Sequence, residues 1–191
     1  FRMIFLVNYK MLLKYIYLYF IIINVVCLFM NRHSFCIKGC EGMFRKTQLG
    51  EVVTVDAVIS IHYFDYSRNF SFPGEAHDFW EMVFIDSGEV VATADGTDLL
   101  LRRGEVLFHR PGEYHAIRAN GDFAGVVVIT FDTHSDAASH LAGQRATLDD
   151  VQKAYISQVL KTAAQTFAGP LDIVDQTALV KLTDAPFGAE Q

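Results

Sequence analysis

Between Val52 and Asp132 the chain alternates short apolar runs with turn-forming pairs, and that beat restricts the fold more than any other feature. The runs are VDAVISIHYF, DFWEMVFI, EVVATA, DLLL, EVLFH, YHAI and GVVVITF. The breaks are Pro73-Gly74, Ser87-Gly88, Asp95-Gly96, Arg103-Gly104, Pro111-Gly112 and Asn120-Gly121. Asp-Gly and Asn-Gly supply the positive φ angles of tight hairpins. Short strands repeating every 8–12 residues or so predict an all-β sandwich or barrel.

The pattern changes period after residue 135. Thr147 reads as a helix N-cap, with Asp149 and Asp150 placed to favour the helix dipole in the first turn. Leu148, Val151, Tyr155, Val159 and Leu160 then share one helical face, and Gly169-Pro170 ends the element. That face suits packing on the chain's own barrel or pairing with the same helix of a second copy. For the second role the expected seam is Leu148, Val151, Tyr155 and Val159.

The first 42 residues differ in kind. They are rich in Phe, Tyr, Met, Ile, Asn and Lys, the residues of AT-rich codons, and the chain opens on Phe1. One expectation is that 1–42 is a non-native upstream extension translated in frame, with Met43 as the start. The other is a single transmembrane segment at about 11–30, since about 20 apolar residues can cross a bilayer. All three cysteines (Cys27, Cys36 and Cys40) lie here, so the rest needs no disulfide and fits a reducing cytoplasm. Cys36 and Cys40 have no second pair to complete a zinc site.

Charge narrows the function. Of 16 basic and 22 acidic residues, five and one lie in 1–42, leaving 11 and 21 in the remainder. A body that acidic repels phosphate and is poorly suited to grip nucleic acid by itself. No G-x-S-x-G, glycine-rich phosphate loop or cysteine nucleophile occurs after residue 42.

The chemistry-bearing segment is Glu75-Ala-His77-Asp-Phe79-Trp-Glu81. On one strand, Glu75, His77, Phe79 and Glu81 would share a face, because residues two apart point the same way. His115 follows the Pro111-Gly112 turn and would join them inside the barrel. Two imidazoles and two carboxylates allow three readings: a pocket for a small polar ligand with Phe79 as its apolar wall, a self-satisfied buried network, or a divalent metal site on His77, Glu81 and His115. Trp80, Met82 and Phe84 occupy the opposite face and predict a second packed layer. His62 and His109 would also reach the pocket if their strand phase is right.

These residues resemble the motifs of the cupin superfamily. The first motif runs G-x5-H-x-H-x3-E-x6-G, and Glu75-x-His77-x3-Glu81-x6-Gly88 keeps its spacing, with Glu75 at the first histidine and Asn69 at the leading glycine. The second runs G-x5-P-x-G-x2-H-x3-N, and Gly104-x5-Arg110-Pro111-Gly112-x2-His115 keeps it, with Arg110 for proline and Ala119 for asparagine. Metal-binding cupins use both histidines, the glutamate and the later histidine, so one ligand of four is replaced here. The longer string from Ile61 through GEVLFHRPGEYHAIRANG to VVVITFD is similar to the N-terminal domain of AraC/XylS-type bacterial transcription regulators.

The resemblance implies a mainly β fold: a cupin (double-stranded β-helix or jelly-roll) barrel followed by C-terminal α-helices. It divides the chain into an effector-binding barrel at 43–135, a helical dimerisation region at 136–170, and at 171–191 the start of a linker to a helix-turn-helix domain absent from this sequence. It further implies a cytoplasmic, non-enzymatic homodimer that binds a small effector, often a sugar, through Glu75, His77, Phe79, Glu81 and His115. Such a protein needs no cofactor and no membrane, and meets DNA only through the helix-turn-helix domain. The competing expectation is a free-standing metal-dependent cupin enzyme, an isomerase or dioxygenase, using the same residues as ligands.

Overall fold

A computed structural model describes residues 52–174, 176 and 178–185. The extension at 1–42 with its apolar span, and the last six residues of the tail, lie outside the described residues. Among those described, no helix is long and apolar enough to cross a membrane.

Among the described residues, nine strands form two antiparallel sheets. They are β1 (Ala57–Tyr66), β2 (Ser71–Glu75), β3 (Trp80–Ser87), β4 (Glu89–Ala94), β5 (Thr97–Arg102), β6 (Glu105–His109), β7 (His115–Ala119), β8 (Ala124–Asp132) and β9 (Arg145–Thr147). One sheet has the order β1-β8-β3-β6-β9 and the other β2-β7-β4-β5. Strands one to eight thus pass back and forth between sheets in the order of a jelly roll, as expected. Asp95 (φ 45°) and Gly96 (φ 80°) make the two-residue turn between β4 and β5, where Ala94 pairs with Thr97. Two successive positive φ angles define the turn that matches strand twist.

Strand alternation sorts the core into two clusters. On β3 and β8, Trp80, Met82, Phe84, Val127, Ile129 and Phe131 face outward into one cluster. Val83, Ile85, Val126 and Val128 face the facing sheet and pack with Val90, Ala92 and Leu101. β3 and β8 lie inside their sheet and are buried on both faces, which explains their unbroken apolar runs. The outer cluster is covered by a 3-10 helix, Asp136–Leu141, and by α1, Asp150–Thr166, whose Ile156 and Ala163 are buried in it.

The helix differs from expectation at its start. The N-cap is Asp149, not Thr147: its carboxylate accepts from Gln152 N, while the Gln152 side chain accepts from Asp149 N. Thr147 is instead the end of β9, pairing with Glu105. That ladder extends the five-stranded sheet past the expected barrel boundary at 135. One α-helix, not several, follows the barrel among the described residues. The proposed seam also splits. Leu148 precedes the helix and is buried in the outer cluster, and Val159 packs against that cluster. Val151 is 59% exposed and Tyr155 is half-buried.

Candidate functional site

Glu75, His77, Phe79 and Glu81 do not share one strand. Glu75 ends β2 in one sheet, Glu81 lies in β3 of the other, and His77 and Phe79 sit on the connection that crosses between them. They converge all the same, because each sheet delivers a lateral row. Across the five-stranded sheet, Ser60 pairs with Thr130, Thr130 with Glu81, and Glu81 with His109. Across the facing sheet, Glu75 pairs with His115. A register shift between Phe72 and Glu75 brings Glu75 opposite His115. The shift rests on Gly74 (φ +114°), where a Cβ would come within 2.6 Å of the Tyr114 hydroxyl and 2.8 Å of the His115 carbonyl.

All five expected ligand-binding residues line one cavity of about 250 Å³. His62 and His109 line it as well, which settles their strand phase. Its walls are largely aromatic. His62, Phe64, Tyr66 and Phe70 stack in succession, with neighbouring ring centroids 4.9, 5.7 and 3.8 Å apart. Phe79 stacks on His77 at 3.8 Å.

The polar end of the cavity has an unusual balance of hydrogen-bonding groups. The Nδ1 of His77 lies 3.0 Å from the carbonyl of Phe79, and the Nδ1 of His115 lies 3.0 Å from the carbonyl of Glu113. A carbonyl only accepts, so each Nδ1 carries the hydrogen and donates. In the neutral rings both Nε2 atoms are therefore acceptors. They are buried without a hydrogen-bond partner. Between them stands the Glu81 carboxylate, 3.6 Å from His77 and 3.5 Å from His115. Three acceptor groups thus converge with no hydrogen to share, and a buried polar group left so is costly.

A hydrogen donor or a cation relieves this arrangement: a second ring proton, a metal ion or a donor group on a ligand. The charge distribution follows the same logic. Burial works to raise the pKa of Glu81, but contact with His115 and His77 outweighs it and holds the group down to about 2. Burial works to lower the pKa of His115, and Glu81 outweighs it, so the ring is pushed upward. Ligand atoms of Glu75, His77, Glu81 and His115 lie within 4.8 Å of one another. The set fits a divalent ion: two imidazoles and two carboxylates in a shell of suitable size.

A second histidine–carboxylate pair backs the first. His109 Nδ1 lies 2.6 Å from Glu113 Oε1, both residues are buried, and the His109 ring stacks on His115 with centroids 4.6 Å apart. Burial lowers the pKa of His109, with Glu113 opposing. Glu113 escaped the sequence reading because a glutamate after Pro-Gly reads as exposed turn. Gln176, beyond the helix, also lines the cavity, and nothing in its sequence neighbourhood signals that.

No curated protein matches the chain. Solved structures do. A predicted oxalate decarboxylase from Thermotoga maritima is 23% identical over 37% of this chain and 64% of its own length, with TM-score 0.36. A cupin superfamily protein from Desulfitobacterium hafniense is 25% identical over 46% of this chain and 81% of its own, with TM-score 0.37. The cupin domain of Cnp3 from Schizosaccharomyces pombe is 15% identical over 45% and 60%, with TM-score 0.38. The chain thus spans less than two thirds of the length of the first of these. A family model of the AraC-like ligand binding domain matches residues 58–144, which run from β1 through the 3-10 helix and take in every site residue from Glu75 to His115. The barrel at residues 58–144 belongs to the family of AraC-like ligand binding domains.

Proposed function

We propose that this chain is the effector-sensing part of an AraC-type transcription regulator, which binds a small polar molecule in its barrel without transforming it. The observation that carries the reading is the pair of buried, partnerless Nε2 atoms of His77 and His115 flanking Glu81 within a cavity of about 250 Å³. Such a volume suits a molecule of sugar size, and the aromatic wall of Phe64, Phe70 and Phe79 suits its less polar face. A cytoplasmic homodimer follows from the same reading, with the exposed Val151 marking the flank of α1 that would meet a second copy. DNA contact belongs to a separate helix-turn-helix domain, since the body of this chain is acidic.

A metal-dependent cupin enzyme is the second reading, favoured by the closeness of Glu75, His77, Glu81 and His115. These four would hold the ion, which as a Lewis acid would polarise an oxygen of the bound molecule. His109, held by Glu113, would orient that molecule from the side of the shell.

Elemental analysis with a thermal-shift screen of sugars and other small polar molecules separates the two. The sensor reading expects less than one equivalent of metal per chain and a ligand that raises the melting temperature of the native protein but not of His77→Ala. One equivalent of tightly held Mn, Fe or Zn, lost in His77→Ala, together with turnover of a bound compound, would replace it with the enzyme reading.

A further inference from the structure

Only three buried side-chain polar atoms lack a partner among the described residues: the Nε2 atoms of His77 and His115, and Oε1 of Gln176. All three belong to residues lining the same cavity. The first two sit in the barrel. Gln176 comes from the segment that follows α1, as does Val174, another lining residue.

That segment is tied to the barrel at a particular place. β1 is an edge strand, so its outer backbone groups are free of sheet pairing. The Leu171 carbonyl takes up one of them, accepting from Tyr63 N at 3.0 Å. The same carbonyl accepts from Nδ1 of His62 at 3.2 Å, and the His62 ring lines the cavity. Nearer the chain end, Ala168 N donates to Val180 O at 2.7 Å and Leu182 N donates to Thr166 O at 2.8 Å. The segment between them is therefore pinned at its base beside the end of α1 and again at Leu171 on β1. Val174 and Gln176 lie between those two anchors and reach the cavity.

We propose that Leu171–Val174 and Gln176 form a strap that reads the contents of the cavity: Gln176 contacts the bound molecule, and His62 ties that contact to the C-terminal end of the chain. The proposal rests on the ligand-binding reading above and names how occupancy leaves the barrel. A molecule satisfying Gln176 stabilises the strap where it lies, and a well-seated strap in turn favours the bound molecule. The coupling is reciprocal, as any linkage between two equilibria must be.

Hydrogen exchange read by mass spectrometry on the full chain tests the strap, with benzylammonium, benzoate and glucose as probes. Without any probe, His62→Phe should speed exchange over residues 168–182 about fivefold, the worth of one hydrogen bond. His62→Asn, which keeps a donor, should restore slow exchange, and β3 and β8 should not change in either. Unchanged exchange over 168–182 in His62→Phe would overturn the latch. A probe that binds the native protein by saturation-transfer NMR, and fails with His77→Ala, should slow exchange over 168–182. Its affinity should fall about fivefold in Gln176→Ala, again the scale of one hydrogen bond. A probe that binds through His77 yet leaves the exchange over 168–182 and the Gln176→Ala affinity unchanged would overturn the strap while leaving ligand binding intact. Binding by none of the three counts against the ligand-binding reading, and the His62→Phe exchange then decides the strap alone.

Discussion

β3 passes through both ends of the barrel interior, and the two ends obey different rules. Val83 and Ile85 meet Val90, Leu101, Leu107 and Val126, all fully or nearly fully buried and all apolar. Two residues before Val83, on the same face of the same strand, Glu81 meets His77, His109 and His115. At the first end each side chain is satisfied by its neighbours, and dispersion and exclusion from water do the holding. At the second end the Nε2 atoms of His77 and His115 face the Glu81 carboxylate without a hydrogen bond, although His109 is held by Glu113. The contrast separates a part of the molecule that keeps it folded from a part that awaits something from outside.

The sharpest way to break that contrast is to damage the apolar end. Leu101→Ala should cost roughly 2–5 kcal/mol, the range for truncating a fully buried leucine. It should do so with the charge state of the histidine end unaltered, and a denaturant midpoint measures it. A loss under about 1 kcal/mol would mean that this end is loosely packed, since such truncations leave cavities.

The polar end should show itself in acid. Glu81 has its pKa held near 2, against 4.5 ordinarily, so it contributes stability that is fully present above about 4.5 and lost as pH falls towards about 2. His115, shifted upward, contributes stability that is present below 6.5 and lost as pH rises through its folded value. His62 and His109 are shifted the other way by burial, and each withdraws stability as pH falls below 6.5. Glu81→Gln should therefore flatten the fall in melting temperature below about pH 4.5, while Leu101→Ala lowers the whole curve without changing its shape. An acid limb identical in Glu81→Gln and the native protein would place the acid-labile charge elsewhere.

Smaller effects should come from outside both ends. Asp149→Ala removes the carboxylate that caps α1 and should cost about 1 kcal/mol. It should leave ligand affinity untouched, because the cap faces the outer cluster's helix and not the cavity. Val151→Asp should change stability by no more than about 0.5 kcal/mol, since the residue is exposed. If the proposed homodimer pairs through this flank of α1, light scattering on the same variant should nevertheless report a smaller particle than the native protein. An unchanged mass would remove α1 from the dimer contact.

The two ends were not equally legible in the sequence. The apolar end follows from local rules: alternation places Val83 and Ile85 inward, and Asp95-Gly96 fixes the hairpin beside them. Much of the polar end follows from a spacing, and Glu75, His77, Phe79, Glu81 and His115 do meet. The expectation that four of them share a strand failed because the chain changes sheets between Glu75 and Trp80, which no local pattern announces. His62 was indeterminate for a related reason. A register shift between Val58 and Ser60 interrupts the count of two along β1, so its phase cannot be carried from one end to the other. Thr147 looked like a helix cap because the partner that claims it as strand, Glu105, is more than forty residues away. Gln176 reaches the cavity only after the chain has rounded α1 and returned to β1.

Gly74 limits which parts of this site can be redesigned. Any other residue there would need a left-handed backbone and would press on Tyr114 and on the backbone of His115. The backbone position of residue 75 is thereby fixed, whichever side chain it carries. Phe72 and Phe79 line the same cavity from the sites on either side and carry no such backbone demand. The fit of a bound molecule can thus be altered at the aromatic wall residues without disturbing the backbone that presents residue 75.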